Sequence, residues 1–232
     1  MSWAEYRKDL TNNLGRLAAR LSAGTWRPSP AREVPIETFD GKKMILSIPI
    51  VEDRIVHRAL RNLLEPTLER HAFFDFASGF RPKRNRITAV RQAAEIITAG
   101  FPYAADVDVE SVSDDVTVDE VVTWVAQWIS DGSVLTTYRH ALEGLPTPLA
   151  PGSGLSPMLL NLRLLPIDAT LQHERIVRFG DNFCVFTATR ALAEAAFDRI
   201  VDTLQKNGLR PSMGKSSVRD NVNPEDLFLL GG

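Results

Sequence analysis

A short polar turn between two β-rich runs constrains the fold of this chain most strongly. Residues 175–179 and 183–186 are rich in β-branched and aromatic types, and Gly180, Asp181 and Asn182 separate them. Because Gly, Asp and Asn tolerate positive φ, this pattern predicts a β-hairpin with Asp181 at its tip. Elsewhere, helical and strand-like runs alternate without a clean βαβ repeat. We therefore expect an α+β fold, in which helices pack against an antiparallel sheet.

The spacing of apolar residues predicts the other elements. It predicts helices over roughly the first two dozen residues and over 54–71, 87–99, 158–165 and 192–204, and strands over 44–51 and 103–109. Thr117 and Glu120 form a capping-box pattern that starts a further helix. Residues 209–218 are expected to form a loop or a short pair of strands.

Composition bounds the class of protein. The chain has 232 residues, of which 44% are hydrophobic, and this suits one domain or two small ones with a real core. Its single cysteine, Cys184, excludes an intramolecular disulfide and a cysteine-based zinc site. No apolar run reaches the ~20 residues that cross a bilayer. We therefore expect a cytoplasmic protein without a membrane partner.

The charges are segregated along the chain although the formal net charge is only -2. Residues 81–91 hold five basic residues and no acid, whereas residues 106–120 hold seven acids and no base. Each run alone is most simply a solvated face. Together they match an enzyme that handles phosphates, which needs a cationic track for nucleic acid and carboxylates for a metal.

Two carboxylates are placed where a metal site could be built. Asp108 ends the strand predicted over 103–109, and Asp181 lies at the hairpin tip. Strand ends and tight turns are rigid positions for the oxygen ligands of a two-metal phosphoryl-transfer site. Spacing alone leaves an alternative open, because Asp181 also suits the turn, and Asp106, Asp114 and Asp115 could be surface acids.

The order of the sequence motifs resembles bacterial reverse transcriptases of the group II intron type. The segments that carry this resemblance are 26–30 (WRPSP), 40–43 (DGKK), 48–56 (IPIVEDRIV), 64–66 (LEP), 78–82 (SGFRP), 106–109 (DVDV), 151–161 (PGSGLSPMLLN), 178–183 (RFGDNF), 208–215 (GLRPSMGK) and 228–231 (FLLG). The segment 178–183 resembles the Tyr-x-Asp-Asp hairpin of that family, and 106–109 resembles its first catalytic block. The ordered set covers nearly the whole chain.

The resemblance implies a right-hand polymerase with fingers over residues 1–100 and a palm over 101–232, without a thumb. It implies that Asp108 and Asp181 bind two Mg²⁺ or Mn²⁺ ions, with the Val109 carbonyl and Asn182 as further ligands. The metals would lower the pKa of the primer 3′-hydroxyl and stabilise the pentavalent phosphorus. Lys215 would donate a proton to the leaving pyrophosphate.

The same resemblance implies two sets of binding residues. Nucleoside triphosphates would contact Lys42, Lys43, Arg54, Ser113 and Gly152. An RNA or DNA template-primer would contact Arg81, Lys83, Arg84, Arg86, Leu230 and Gly231. A separate protein that supplies a thumb or an accessory domain is a further expected partner.

Several positions depart from the family pattern. Asn182 replaces the second aspartate of the hairpin, and Ser113 replaces a bulky aromatic that excludes ribonucleotides. Pro151 stands where a glutamine is expected, and Thr38 and Met44 stand where the family has phosphate-binding cations. Three readings therefore remain open: a divergent template-directed polymerase, a degenerate polymerase fold that only binds nucleic acid or a partner, and another nucleotidyl transfer such as template-independent addition.

Overall fold

The structure is a computed structural model, and it describes residues 2–37, 41 and 43–220. Its elements in chain order are α1 (Trp3–Arg7), α2 (Leu10–Ser22), β1 (Arg32–Glu37), β2 (Lys43–Ile48), α3 (Val51–His71), β3 (Ala77–Ser78), α4 (Arg86–Thr98), β4 (Tyr103–Glu110), α5 (Val118–Ala126), α6 (Gly132–Glu143), α7 (Ser156–Leu171), β5 (Ile176–Phe179), β6 (Asn182–Thr187), α8 (Arg190–Lys206), β7 (Arg210–Pro211) and β8 (Ser217–Asp220). Among the described residues, no helix is both long and apolar enough to span a membrane.

The chain divides into two compact units that each combine two separate stretches of sequence. The first unit comprises Met1–Arg70 and Ser113–Leu159, and the second comprises His71–Val112 and Leu160–Gly232. The two units are defined by which residues contact one another. The predicted boundary between fingers and palm near residue 100 is defined differently, by the order of the sequence motifs. That boundary stays a prediction.

The first unit contains a two-stranded antiparallel ribbon and a helical core. Strand β1 pairs with β2 from Arg32↔Ile48 to Glu37↔Lys43. Helix α3 buries Leu60, whose carbonyl accepts a 2.7 Å hydrogen bond from the hydroxyl of the fully buried Tyr138 in α6. Neither β1 nor α6 was predicted. The Thr117 capping box of α5 is confirmed, because the Glu120 N–H donates to the Thr117 hydroxyl at 3.2 Å and the Thr117 N–H donates to the Glu120 carboxylate at 2.7 Å.

The second unit is built on one sheet with the strand order β3-β5-β6-β4-β7, and β8 also pairs with β4. Among the described strands of this sheet, β3 and β5 are parallel and the other pairs are antiparallel. Alternate residues of β4 and β6 face two cores. Val107 and Phe183 pack in one core, and Ala104 and Phe186 pack in the other. Because both faces are covered, the strands are apolar except where a site interrupts them.

The helices and strands predicted for this unit are present in the structure, but some of them begin or end at other residues. The hairpin is present as β5 and β6, and residues 209–218 supply the short strand β7 and the start of β8. Helix α7 continues to Leu171, past the predicted end at residue 165, with Pro166 inside it. The mixed architecture confirms the predicted α+β class.

Candidate active site

Strands β4 and β6 bring the two candidate carboxylates to the same end of the sheet. Asp108 pairs directly with Asn182 across the antiparallel ladder. Beyond that pair, the Val109 N–H donates a hydrogen bond to the Asp181 carbonyl at 3.2 Å. The hairpin tip therefore lies beside the end of β4, and Asp108, Val109 and Asp181 form one local group.

The charge of this group is only partly balanced. Burial raises the pKa of the Asp181 carboxyl, and the negative charge of Asp108 raises it further. The Nζ atom of Lys215 lies 3.2 Å from Asp108 Oδ1 and forms an ion pair with it. The Lys215 side chain is 54% exposed and that of Asp108 is 17% exposed. Lys215 is thus an exposed counter-ion at the solvent side of a partly buried carboxylate pair.

A divalent cation suits this arrangement. The Asp181 carboxyl is poorly solvated and lies near the charge of Asp108, and its pKa stays raised although the charges of Lys215 and Arg178 oppose the shift. Mg²⁺ commonly binds through one or two carboxylates and completes its coordination with water and substrate phosphates. Within the part of the chain that the structure describes, no group of three or more His, Cys, Asp or Glu residues could hold a metal by itself. Asp108 and Asp181 are therefore the candidate ligands, and substrate oxygens would complete the set.

The side chain of Asn182 is occupied by its neighbours. Its Nδ2 group donates to Asp106 Oδ1 at 2.8 Å, and its Oδ1 accepts from the Cys184 thiol at 3.2 Å. Asp106 is only 2% exposed and also accepts from Arg219 Nε at 2.5 Å. The reading of Asp106 as a surface acid is thus wrong. The role of Asn182 as a metal ligand stays a prediction, and its amide already has two partners.

A buried arginine, which was not predicted from the sequence, lies next to the hairpin. Arg178 is fully buried, and its Nε and Nη2 atoms each bond to the Asp168 carboxylate at 2.7 Å. Its Nη1 atom donates to Asn161 Oδ1 at 3.0 Å and to the Gly180 carbonyl at 2.6 Å. The guanidinium therefore ties α7 to the residue that precedes Asp181. The sequence signal for this buried group is a pair of polar residues in the apolar helix α7, Asn161 and Asp168, which lie seven residues apart.

The other side of the hairpin is held through backbone contacts. The Gly180 N–H donates to the Ser78 carbonyl at 3.0 Å. A Cβ on Gly79, whose φ is +89°, would lie 2.7 Å from the Gly180 nitrogen. The Gly79 carbonyl also accepts from Asn161 Nδ2 at 3.2 Å. Glycine at position 79 thus permits the close approach that fixes the hairpin tip.

The predicted nucleic-acid-binding cations of the second unit fall into two groups. Arg81 is buried, and its Nη1 atom donates to two backbone carbonyls of the same segment at 2.6 Å. Arg84 pairs with Asp75. Lys83 and Arg86 are exposed. Lys83 and Arg86 therefore stay predicted nucleic-acid contacts, whereas the guanidiniums of Arg81 and Arg84 hold the loop.

The predicted nucleotide-binding residues that are described belong to the first unit. Lys43 and Arg54 are exposed, and the Ser113 hydroxyl contacts Asp114 Oδ1 at 3.5 Å. Gly152, with φ +99°, lies against the backbone of Ser47. Lys42, Leu230 and Gly231 lie outside the described residues, and so does Thr38. The nucleotide-binding roles of these residues stay predictions.

Replacing Gly152 by Ala should lower the unfolding free energy by about 1–3 kcal/mol. The new Cβ would lie 2.7 Å from the Ser47 carbonyl oxygen, in a loop whose Pro151 carbonyl accepts from the Ser47 N–H at 2.7 Å. Gly154→Ala is the matched control, because its Cβ would meet only His57 Cβ, at 3.6 Å. Urea unfolding of both variants measures the difference, and equal effects would contradict this account of Gly152.

The comparison with known families decides the identity of the fold. A family profile described as "Reverse transcriptase (RNA-dependent DNA polymerase)" matches residues 36–224. The chain belongs to this reverse transcriptase family. The match includes strand β4 with Asp108 and the hairpin with Asp181, and it confirms the resemblance drawn from the motif order.

Two curated relatives of this reverse transcriptase family member are similar in sequence. Protein YkfC of Escherichia coli K12 is 32% identical over 177 residues, which cover 68% of this chain and 45% of YkfC. Nuclear intron maturase 1, mitochondrial, of Arabidopsis thaliana is 35% identical over 95 residues, which cover 41% of this chain and 13% of the maturase. The chain thus spans less than half the length of either relative.

Solved structures share the fold at low sequence identity. Apo telomerase of Candida tropicalis, truncated from its C-terminal domain, has a TM-score of 0.61 at 11% identity and covers 82% of this chain and 50% of that one. Telomerase of the same organism in complex with a TWJ fragment of telomeric RNA has a TM-score of 0.62 at 10% identity, with 90% and 44% covered. The right-hand polymerase fold expected from the motifs is therefore confirmed.

Proposed function

We propose that this chain is a divergent, template-directed nucleic acid polymerase that uses two divalent cations. The observation that carries the proposal is the carboxylate pair of Asp108 and Asp181, which share one end of the sheet with Lys215 as counter-ion. The raised pKa of Asp181 supports it, because such carboxylates cluster at functional sites. Membership of the reverse transcriptase family supports RNA-directed addition of nucleotides to a primer as the reaction.

Each residue of the group has a distinct task in this proposal. Asp108 and Asp181 would hold Mg²⁺ or Mn²⁺, with the Val109 carbonyl beside them. The bound ions would supply charge neutralisation at the phosphate oxygens and a lower pKa for the attacking hydroxyl. Lys215 would leave Asp108 when a cation arrives, and its ammonium would then donate a proton to the leaving pyrophosphate.

The binding residues complete the proposal. Lys43, Arg54 and Gly152, with Lys42, would contact the nucleoside triphosphate, and Lys83 and Arg86 would contact template phosphates. The relatives are more than twice as long as the matched segment of this chain. A protein that supplies a thumb or an accessory domain stays a proposed partner.

Primer extension by the wild-type chain tests the proposed function. The assay supplies RNA and DNA templates, dNTPs or NTPs, and Mg²⁺ or Mn²⁺, and we expect template-dependent addition on RNA. Asn182 favours the degenerate fold as the second candidate, because the hairpin offers one acid instead of two and the Asn182 amide already bonds to Asp106. Salt-dependent binding to a primer-template without incorporation under any of these conditions would support that candidate instead.

Ser113 gives a prediction about the sugar. If this small side chain leaves room for a ribose 2′-hydroxyl, Ser113→Phe should lower kcat/KM for NTPs at least tenfold, or about 1.4 kcal/mol, and spare dNTPs. Ser113→Thr, which keeps the hydroxyl and adds one methyl group, is the control. Equal losses for both sugars would show that Ser113 does not select between them.

A further inference from the structure

Phe80 is an exposed aromatic residue held in an unfavourable backbone conformation. Its side chain is 51% exposed, and its φ of 61° lies in the left-handed region, which is strained for a bulky residue. Lys83, three residues later, has a φ of 62°. Such conformations persist only where the surrounding structure fixes them, and they cluster at functional sites.

The bonds that fix this loop come from both of its ends. On one side, the Gly79 carbonyl accepts from the buried Asn161 side chain at 3.2 Å. On the other side, Arg81 is buried and donates to the carbonyls of Phe74 and Ala77, each at 2.6 Å. The loop is therefore rigid, and Phe80 is presented to solvent between two anchored residues.

Phe80 also lies beside the candidate active site. Its ring atom Cε2 is 3.6 Å from the position that a Cβ on Gly180 would occupy, and Asp181 is the next residue along the hairpin. A nucleic acid strand that reaches Asp108 and Asp181 would lie within reach of this ring. That step rests on the proposed function.

The charges around Phe80 indicate the kind of ligand. Residues 81–91 contain five cations and no acid. Arg81 and Arg84 are engaged in holding the loop, whereas Lys83, Arg86 and Arg91 are exposed. An exposed aromatic ring followed along the chain by exposed cations is the chemistry with which proteins bind single strands, because every base has a π-face and every nucleotide a phosphate.

We propose that Phe80 is a base-contacting residue: its ring packs against a base of the single-stranded nucleic acid next to the active-site hairpin. Lys83 and Arg86 contact the phosphates on either side of that base. The ring contributes affinity that does not depend on salt, and the cations contribute affinity that does.

The test is binding of a fluorescein-labelled single-stranded RNA 12-mer, followed by anisotropy over a series of KCl concentrations. Phe80→Asn removes the ring and tolerates the left-handed backbone. It should weaken binding about 5- to 150-fold, the range of about 1–3 kcal/mol per stacked base, without changing the slope of log K against log salt. Phe80→Trp keeps an aromatic ring and should bind the RNA as tightly as the wild type does. Lys83→Gln should reduce the slope of log K against log salt by about one.

Two controls separate a binding role from a structural one. Ile87→Ala truncates another exposed apolar side chain of the same unit, 68% exposed, and should leave affinity unchanged. The unfolding temperature of Phe80→Asn should equal or exceed that of the wild type, because strain is relieved. Wild-type affinity in Phe80→Asn, an equal loss in Ile87→Ala, or a fall in unfolding temperature that accounts for the loss would overturn the proposal.

The outcomes also distinguish this proposal from the proposed function. Binding that depends on Phe80, in a chain that incorporates no nucleotide, would support the base contact and count against the polymerase. Nucleotide incorporation by a chain whose RNA affinity does not change on substitution of Phe80 would support the polymerase and count against the base contact. A wild-type chain that does not bind RNA at all would overturn both.

Discussion

Asp181→Asn should lower nucleotide incorporation more than about 100-fold and, in metal-free buffer at neutral pH, raise the temperature of unfolding. The rate falls because the variant loses a negatively charged ligand, and metal stabilisation of the transition state is worth several kcal/mol at about 1.4 kcal/mol per tenfold. Stability rises because Asp181 carries its charge in a poorly solvated position beside Asp108. The two effects have opposite signs, which a purely structural residue would not give.

The higher stability expected for Asp181→Asn should depend on pH, because the pKa of the Asp181 carboxyl is raised in the native state. The native state binds the Asp181 proton more tightly than the unfolded chain does, so the wild type loses stability as pH rises through the raised pKa. The advantage of Asp181→Asn should therefore be absent below about pH 4, the ordinary pKa of Asp, and grow toward neutral pH. Mg²⁺ should raise the unfolding temperature of the wild type and leave that of the variant unchanged.

Differential scanning fluorimetry with EDTA or Mg²⁺, paired with single-turnover primer extension, measures both effects. Asp198→Asn is the control, since it makes the same change at an exposed position of the same unit. Unchanged incorporation by Asp181→Asn, or a stability advantage that grows on acidification, would contradict the assigned role.

Asp168→Ala should lower the unfolding free energy of the second unit by about 3–5 kcal/mol, because it leaves the buried Arg178 guanidinium without its carboxylate. Both side chains of this pair are 0% exposed. Asp202→Ala is the control, because the Lys206–Asp202 pair is 73% and 64% exposed and is worth less than about 1 kcal/mol. Equal effects of the two substitutions would show that burial does not set the energy of the Arg178 pair.

The measurement and a second variant separate stability from positioning. Urea unfolding should be followed by far-UV circular dichroism, because all four tryptophans lie in the first unit. The double variant Asp168→Leu with Arg178→Met removes the buried charges together and should recover much of the stability. It also loses the 2.6 Å bond to the Gly180 carbonyl, so incorporation should stay low. Recovery of both the unfolding free energy and nucleotide incorporation in the double variant would show that Arg178 does not position the hairpin.

The sequence predicted the features that depend on local chemistry. Gly180, Asp181 and Asn182 suit a tight turn, so the hairpin was predictable, and Thr117 with Glu120 gave the start of α5. The order of motifs then predicted the polymerase fold. Asp108 and Asp181 were found as candidates because each ends or joins a strand.

Features that depend on contacts between distant residues could not be predicted. Asp106 and Arg219 are 113 residues apart in sequence and become an ion pair only when β4 and β8 align. Arg81 lies in a basic run that suggests a nucleic-acid surface, yet its guanidinium bonds to carbonyls of its own loop. Charge patterns along a chain indicate chemistry, whereas burial decides which charges remain available to a ligand.

Titration with Mn²⁺, followed by electron paramagnetic resonance of the free ion, tests most directly whether Asp108 and Asp181 together hold a divalent cation. The wild type, Asp108→Asn, Asp181→Asn and the control Asp198→Asn are compared in the presence of a primer-template and a nonhydrolysable nucleotide. We predict binding by the wild type and Asp198→Asn that is lost in both of the other variants. Equal Mn²⁺ binding by all four proteins would contradict the assignment.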